Sequence, residues 1–511
     1  MPETETTRKQ DVARLARGAG VLLPATLLGN VLLLGLDFYV NGVLGNAGYG
    51  VYKAVSRVMA LAGFVTLLGM ENAVIRYVAG RSREIGAGVA RRAAGLVALT
   101  GAASAVVITA TAGATSAWVD PSPSTALALQ IAAISLPFAG VRMVAVAAAQ
   151  GWGDVRPRAT VLFLLWPAAQ IVGVACLGGQ GIRGVTAAYT SAMVLGAGVA
   201  RVLAWRASRG ADAGTRDPAR EAPVPTGELL RFAWPLWLQG ILMGLYTWSD
   251  QVLLAGLRSA EEAGIYGPVA TITPIFGLGL GALNGMFAPM IAERVPHEGD
   301  PPSRRLELEA LYRTVTRWAV ILALPPTVFA LARPELVIGL WPHGSMDAVP
   351  ALRIATVSAL VCTAVGSVNY LLIMAGQQRL VLWNGVPAVI LNLLASYLLI
   401  PRYGPTGAAL ANGLAMMFAN VVGFAQVRWA LGISPFRRFG IGRAMVAAVA
   451  GGAVAAIYPA GHLASGLAGR WGDAAIASVL TLLVFCVVLA VLGLDDDDRV
   501  VVDAIRAKVR R

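Results

Sequence analysis

The chain has 511 residues, of which 57% are hydrophobic and only 14% charged. Soluble globular proteins carry about 25% charged residues, so an ordinary soluble enzyme or binding module is excluded. Apolar sequence on this scale suits bilayer-spanning helices, each needing about 20 mostly apolar residues. The net charge of +13 raises nucleic acid as a partner. Its distribution in collars between apolar segments, rather than in one patch, argues against that.

The segment from Met1 to Gly18 is polar and mixed in charge. The apolar run after it holds Asp37 and lacks a small-residue cleavage site, so it reads as a retained helix rather than a secretory signal. Apolar segments of spanning length occur at 19–41, 50–78, 89–112, 125–149, 158–178, 183–205, 230–256, 264–292, 314–332, 351–375, 380–400, 407–430, 442–460 and 473–494. The fold class expected is therefore an all-α polytopic membrane protein with about fourteen transmembrane helices. Glycine, with 58 residues, is abundant, as close helix packing in membranes favours. Gly277, Gly281 and Gly285 share one face of the eighth span. Pro24, Pro167, Pro235, Pro274, Pro289 and Pro325 interrupt spans and permit bends.

With the N-terminus placed inside, the N-tail, the even-numbered loops with their adjoining helix ends, and the C-tail hold 32 of the 41 basic residues. The positive-inside rule then puts both termini in the cytoplasm of a multi-pass protein of the cytoplasmic membrane. The longest extracytoplasmic loop runs only from Arg333 to Arg353. Cys176, Cys362 and Cys486 lie singly in apolar stretches, and His297, His343 and His462 lie apart in loops. No disulfide framework, metal site or cofactor is expected. The aspartates at 495–498 lack the spacing of a calcium loop and suit the start of a short interfacial helix.

The polar stretch 206–226, rich in Pro, Gly and charge, reads as a cytoplasmic linker between related halves. Asp37 and AGYGVY (47–52) in the first half parallel Asp250 and EAGIYG (262–267) in the second. GQGIRGVTAA (179–188) likewise parallels RYGPTGAALA (402–411). Six spans per half give both halves the same orientation, with the substrate path between them. The expected organisation is an N-terminal six-helix bundle (1–205), the linker (206–226), a C-terminal six-helix bundle (227–430), two additional helices (431–494) and a cytoplasmic tail (495–511).

Charge at mid-bilayer costs about 2.5–3.5 kcal/mol or more, so charges retained there usually face a polar cavity. Lys53, Arg57 and Arg142 are the candidate substrate-binding residues. Arginine suits phosphate because its planar fork donates parallel hydrogen bonds. Lys53 and Glu71, 18 residues apart in the second span, fall on one azimuth if that span is a continuous helix. Asp37, Glu71 and Asp250 are candidates for ion coupling or for lining the cavity; the first and last equally suit helix capping. Asn30, Asn72, Gln170, Gln239, Asn284, Asn369 and Asn392 suit sugar hydroxyls or helix–helix hydrogen bonds.

The segments LGNAGYGVYKAVSRVMALAGFVTLLGMENAVIRYVA (44–79), DQVLLAGLRSAEEAGIYGPVATI (250–272), FAPMIAE (287–293), LYRTVTRWAVILALP (311–325) and LLIPRYGPTGAALA (398–411), in this order and spacing, carry a resemblance. Together they resemble the polysaccharide-biosynthesis flippases of the multidrug/oligosaccharidyl-lipid/polysaccharide exporter superfamily. That group includes the Wzx-type O-antigen and capsule flippases, with the lipid II flippase MurJ as a cousin. The resemblance implies two six-helix bundles followed by two further helices. It implies translocation of an undecaprenyl-pyrophosphate-linked oligosaccharide or related glycolipid by alternating access. The partners implied are that substrate, membrane lipids and other polysaccharide-synthesis proteins; Asp37, Glu71 and Asp250 offer coupling to H⁺ or Na⁺, between which the sequence does not decide. The alternatives are a drug/cation antiporter of the same superfamily and, further off, a polytopic glycosyltransferase or ligase. The antiporter favours buried acids over the basic residues found here. The enzyme lacks loops of the needed size and a nucleotide-binding motif. A scaffold in an envelope-synthesis complex has only the basic cytoplasmic loops in its favour.

Overall fold

The computed structural model describes residues 2–79, 81–210, 223–281, 283–284, 291, 302–436, 440–459 and 466–493. The predicted tail at 495–511, most of the linker, Gly285, Pro289, His297 and His462 lie outside them. The described chain is helical throughout, with no strand. This follows from the medium: in hydrocarbon each backbone N–H and C=O must be satisfied within its own segment.

The elements in order are α1 (Pro2–Leu67), α2 (Met70–Val78), α3 (Arg83–Val119), α4 (Pro123–Ala133), α5 (Ser135–Gly151), a π-helical segment (Ala159–Leu165), α6 (Trp166–Leu177), α7 (Ile182–Gly210), α8 (Thr226–Leu257), α9 (Ala260–Ile272), α10 (Pro302–Ala332), α11 (Val349–Val365), α12 (Val368–Met374), α13 (Gln378–Ala430), α14 (Gly442–Ile457) and α15 (Leu467–Leu492). Among the described residues, ten helical stretches are long and apolar enough to cross a membrane. Two of these, α1 and α13, are each two helices folded at a glycine. With α8 and the shorter α14 added, the described residues hold the fourteen helices expected. Pro24 and Pro235 both lie inside helices rather than at their ends.

Three tight folds use one device. Gly45, Gly181 and Gly404 have φ of 66°, 68° and 53° with ψ of −178°, −144° and −129°. Only glycine adopts that region without strain. A second glycine follows three residues later. A Cβ at Gly184 would lie 1.8 Å from the Leu177 carbonyl oxygen, and one at Gly407 would lie 2.4 Å from that of Leu399. At Gly48 it would lie 2.9 Å from Cβ of Leu44. The first glycine turns the chain, and the second lets the new helix pass over the end of the old one. Gly181 and Gly404 are the pair matched by sequence between the halves, and they share one backbone conformation.

The chain forms two compact units, Met1–Gly264 and Ile265–Arg511. The boundary falls one helix beyond the linker, because α8 packs on α1 and α2. Within the first unit α5 packs against α3 and α7, and α6 against α7. The short α2 sets Met70, Val74 and Val78 among Val89, Ala93, Val144, Leu229 and Ala233. Gly50 meets the backbone of Ala260 and Gly264: a Cβ on Gly50 would lie 1.6 Å from the Ala260 oxygen. Thus the backbones of Gly50 and Gly264 touch each other. In the second unit α10 packs on α11 and α14, α11 on α13, and α14 on α15. Arg333 donates to the Tyr458 carbonyl, and Trp471 Nε1 to the Leu340 carbonyl at 3.1 Å, tying down the ends of these helices. Large apolar residues such as Leu99, Val106, Trp429 and Val491 face outward. In α3 and α15 only 17% of the apolar window is buried, which leaves most of their surface for lipid.

Gly184→Ala and Gly407→Ala each place a methyl group on a backbone carbonyl. Each is expected to lower the detergent unfolding midpoint by several degrees, whereas Gly179→Ala, with open space around it, leaves it unchanged.

Candidate functional site

The fold of α1 at Gly45 explains the first contact. Asp37 and Lys53 stand equally far before and after the bend, so the two limbs bring them side by side. Lys53 Nζ donates to Asp37 Oδ2 at 2.6 Å, with side-chain exposures of 6% and 11%. Lys53 also lies 5.2 Å from the centre of the Tyr49 ring. Two residues that the sequence assigns to different roles are thus one buried ion pair. Each compensates a charge that the surrounding apolar helices would otherwise reject.

One turn on, Arg57 is half-buried. Its Nε donates to Gln251 Oε1 at 2.6 Å, and its guanidinium lies 5.7 Å from the Trp248 ring centre. Both partners are on α8. Asp250, 4% exposed, accepts the backbone N–H of Gln251 at 2.8 Å, so its carboxylate shapes the helix beside Arg57.

Glu71 stands apart. The expected continuous second span breaks at Leu68 and Gly69, whose φ values are 49° and 69°. The close approach of Gly69 to α8 requires the break: a Cβ there would lie 2.3 Å from the Ala233 oxygen. The common azimuth of Lys53 and Glu71 therefore does not hold. Instead Glu71 accepts from Arg158 Nη1 at 3.0 Å, and the same nitrogen donates to Gln150 at 3.1 Å. This partly exposed pair ties α2 to the turn before the π-helical segment.

Arg142 lies on α5 and is 8% exposed. Its stem runs past Gly196 of α7, where a Cβ would sit 3.1 Å from Cδ. Its guanidinium lies 5.2 Å from the Trp166 ring centre. Trp166 opens α6 directly after the π-helical segment, whose wider turn resets the azimuth of every residue that follows. Arg142 Nε and Nη1 are buried and meet no acceptor among the described residues. Tyr189 of α7 stands near this guanidinium. Gln170, also on α6, is 2% exposed and accepts from Tyr52 at 3.4 Å.

The structure therefore joins Asp37 with Lys53, sets Arg57 against α8, gives Arg142 an aromatic floor, and sends Glu71 elsewhere. Trp166, Trp248, Gln251 and Tyr189 were not singled out from sequence. Isolated aromatics and amides in apolar spans carry no pattern, and the π-helical turn has no sequence signature. Of the other polar residues, Asn284 meets Ser367 in the second unit. Among the described residues no three His, Cys, Asp or Glu side chains gather as a metal site.

The fold of this helical membrane protein is shared with solved structures of a lipid II flippase and of MATE transporters. Similar solved structures include a lipid II flippase MurJ in an inward closed conformation, 12% identical, with a TM-score of 0.66 over 92% of this chain and 98% of that one. They also include a multidrug resistance MATE family transporter of the MOP superfamily, inward-facing, 17% identical, with a TM-score of 0.59 over 81% and 98%. Its outward-facing counterpart gives 17% and 0.53 over 82% and 95%. The chain belongs to the polysaccharide biosynthesis protein family, whose profile matches residues 15–293. No curated protein matches it in sequence.

Asp37→Asn leaves Lys53 buried without its counter-charge and is expected to cost about 3–5 kcal/mol. The double variant Asp37→Asn, Lys53→Met recovers most of that loss. Unfolding of the purified variants in detergent measures both, and additive losses in the double variant would contradict a coupled pair.

Proposed function

We propose that the chain translocates a lipid-linked oligosaccharide of the undecaprenyl-pyrophosphate type, or a related glycolipid, across the cytoplasmic membrane in cell-surface polysaccharide synthesis. The observation that carries this reading is Arg142, a guanidinium buried among apolar helices with N–H groups that no acceptor in the described chain takes up. A cation kept there at such cost suits an anionic headgroup. Arg57, whose partners Gln251 and Trp248 are neutral, adds positive charge in the same unit, while Lys53 is balanced by Asp37 and the lipid tail stays in the bilayer. Membership of a polysaccharide biosynthesis family and a fold like a lipid II flippase support the same substrate class. Movement by alternating access requires no covalent step, so the reading is of a transporter rather than a glycosyltransferase or ligase. Asp250 is the acid better suited to couple movement to H⁺ or Na⁺; Asp37, paired with Lys53, and Glu71, paired with Arg158, are less suited. Other polysaccharide-synthesis proteins are the expected neighbours.

A drug/cation antiporter is the second reading. The MATE fold likeness and the buried acids Asp37 and Asp250 favour it. Against it, Asp37 is already neutralised by Lys53.

In vesicles loaded with a lipid-linked oligosaccharide, Arg57→Ala with Arg142→Ala is expected to abolish translocation while leaving membrane insertion intact. Wild-type translocation by the double variant would overturn the assignment, and efflux of a cationic dye by the unaltered chain would favour the antiporter. The proposed topology puts Arg156 on the cytoplasmic side and Arg333 outside. In a chain cleared of its three native cysteines, Arg333→Cys is expected to react with an impermeant thiol reagent in intact cells, and Arg156→Cys only after permeabilisation.

A further inference from the structure

Arg142 is one member of a group of side chains inside the first unit. Its guanidinium covers Trp166 at 5.2 Å. Gln170 lies four residues beyond Trp166 and so on the same face of α6. Gln170 meets Tyr52 of α1. The members come from α1, α5 and α6, all within residues 1–264.

The group is chemically one-sided. The Tyr52 hydroxyl donates to Gln170 Oε1 and so occupies the acceptor end of that amide. What remains is Gln170 Nε2, a donor, buried without a partner. Trp166 Nε1 can only donate, and it too is buried without a partner. Arg142 offers Nε and Nη1 and has no lone pair to accept with. Four N–H-bearing nitrogens on three neighbouring side chains thus lack acceptors, and no carboxylate among the described residues pairs with Arg142. Each orphaned donor costs free energy comparable to a lost hydrogen bond, and a buried guanidinium costs more.

We infer that Arg142, Trp166 Nε1 and Gln170 Nε2 form a donor-only site for an oxyanion, the phosphoryl oxygens of the headgroup, and that Trp166 and Gln170 are specificity-determining residues. The inference rests on the transport reading for the identity of the ligand, but not for the chemistry of the site. Phosphoryl oxygens accept without donating, which matches the set. Sugar hydroxyls both donate and accept, and would leave their own protons without acceptors here. A cationic drug would meet like charge at Arg142. The oxyanion is therefore held within the first unit, with Trp166 contributing twice: its ring face to the guanidinium and its N–H to the anion.

Calorimetric titration of the purified full-length chain in detergent tests this, with inorganic pyrophosphate as the probe and glucose as the neutral control. Wild type is expected to bind pyrophosphate and not glucose. Trp166→Phe keeps a ring under Arg142 but removes the N–H, and Gln170→Leu removes the amide donor. Each is expected to weaken binding about ten- to a hundredfold, the size of one hydrogen bond to a charged group. Gln170→Glu replaces the donor by a carboxylate and is expected to weaken binding further. If that variant fails to fold, the first two carry the test. Undiminished binding in folded Trp166→Phe and Gln170→Leu, or no binding by folded wild type, overturns the donor site. Translocation of a lipid-linked oligosaccharide by a wild type that does not bind pyrophosphate removes this inference and leaves the transport reading. Pyrophosphate binding without translocation does the reverse.

Discussion

A charge or an N–H placed in hydrocarbon must be answered from within the protein or by what the protein carries. The first unit answers in three ways. Lys53 is met by a carboxylate from the other limb of its own helix pair. Arg57 is met by a neutral amide and an indole ring. Arg142 is met only by a ring, which faces the cation but accepts none of its N–H groups in a hydrogen bond. This gradation ranks the three cations by how much of their demand remains for a ligand, with Arg142 first.

The same economy governs the backbone. Three of the connections between spans turn within one or two residues at glycine, at Gly45, Gly181 and Gly404. The cost is a set of positions where backbone touches backbone, as at Gly50 against Ala260 and Gly184 against Leu177. These contacts let apolar helices pack closely where no hydrophobic drive favours helix over lipid.

Much of this was legible beforehand. Spanning length and apolar content identified the fourteen helices, because the bilayer imposes both on any sequence that crosses it. The glycines matched at 181 and 404 share one backbone conformation, because the positive φ there demands glycine. The pairing of charges was less visible. Glu71 looked coaxial with Lys53 until Leu68 and Gly69 broke the helix, and no residue type announces a left-handed leucine. Arg142 stood out as a lone charge and Gln170 as one of several polar residues within spans, yet Trp166 did not, and that these three meet follows from tertiary packing.

The bend at Gly45 has a further consequence. Asp37 and Lys53 meet because the two limbs between them and the fold are of equal length. Removing a single residue from either limb would swing one partner by about 100° around its helix and slide it about 1.5 Å along the axis. The acid would then look out at acyl chains while the amine stayed inside. In this stretch the count of residues matters as much as their kind, so a deletion there should be far less tolerable than most substitutions.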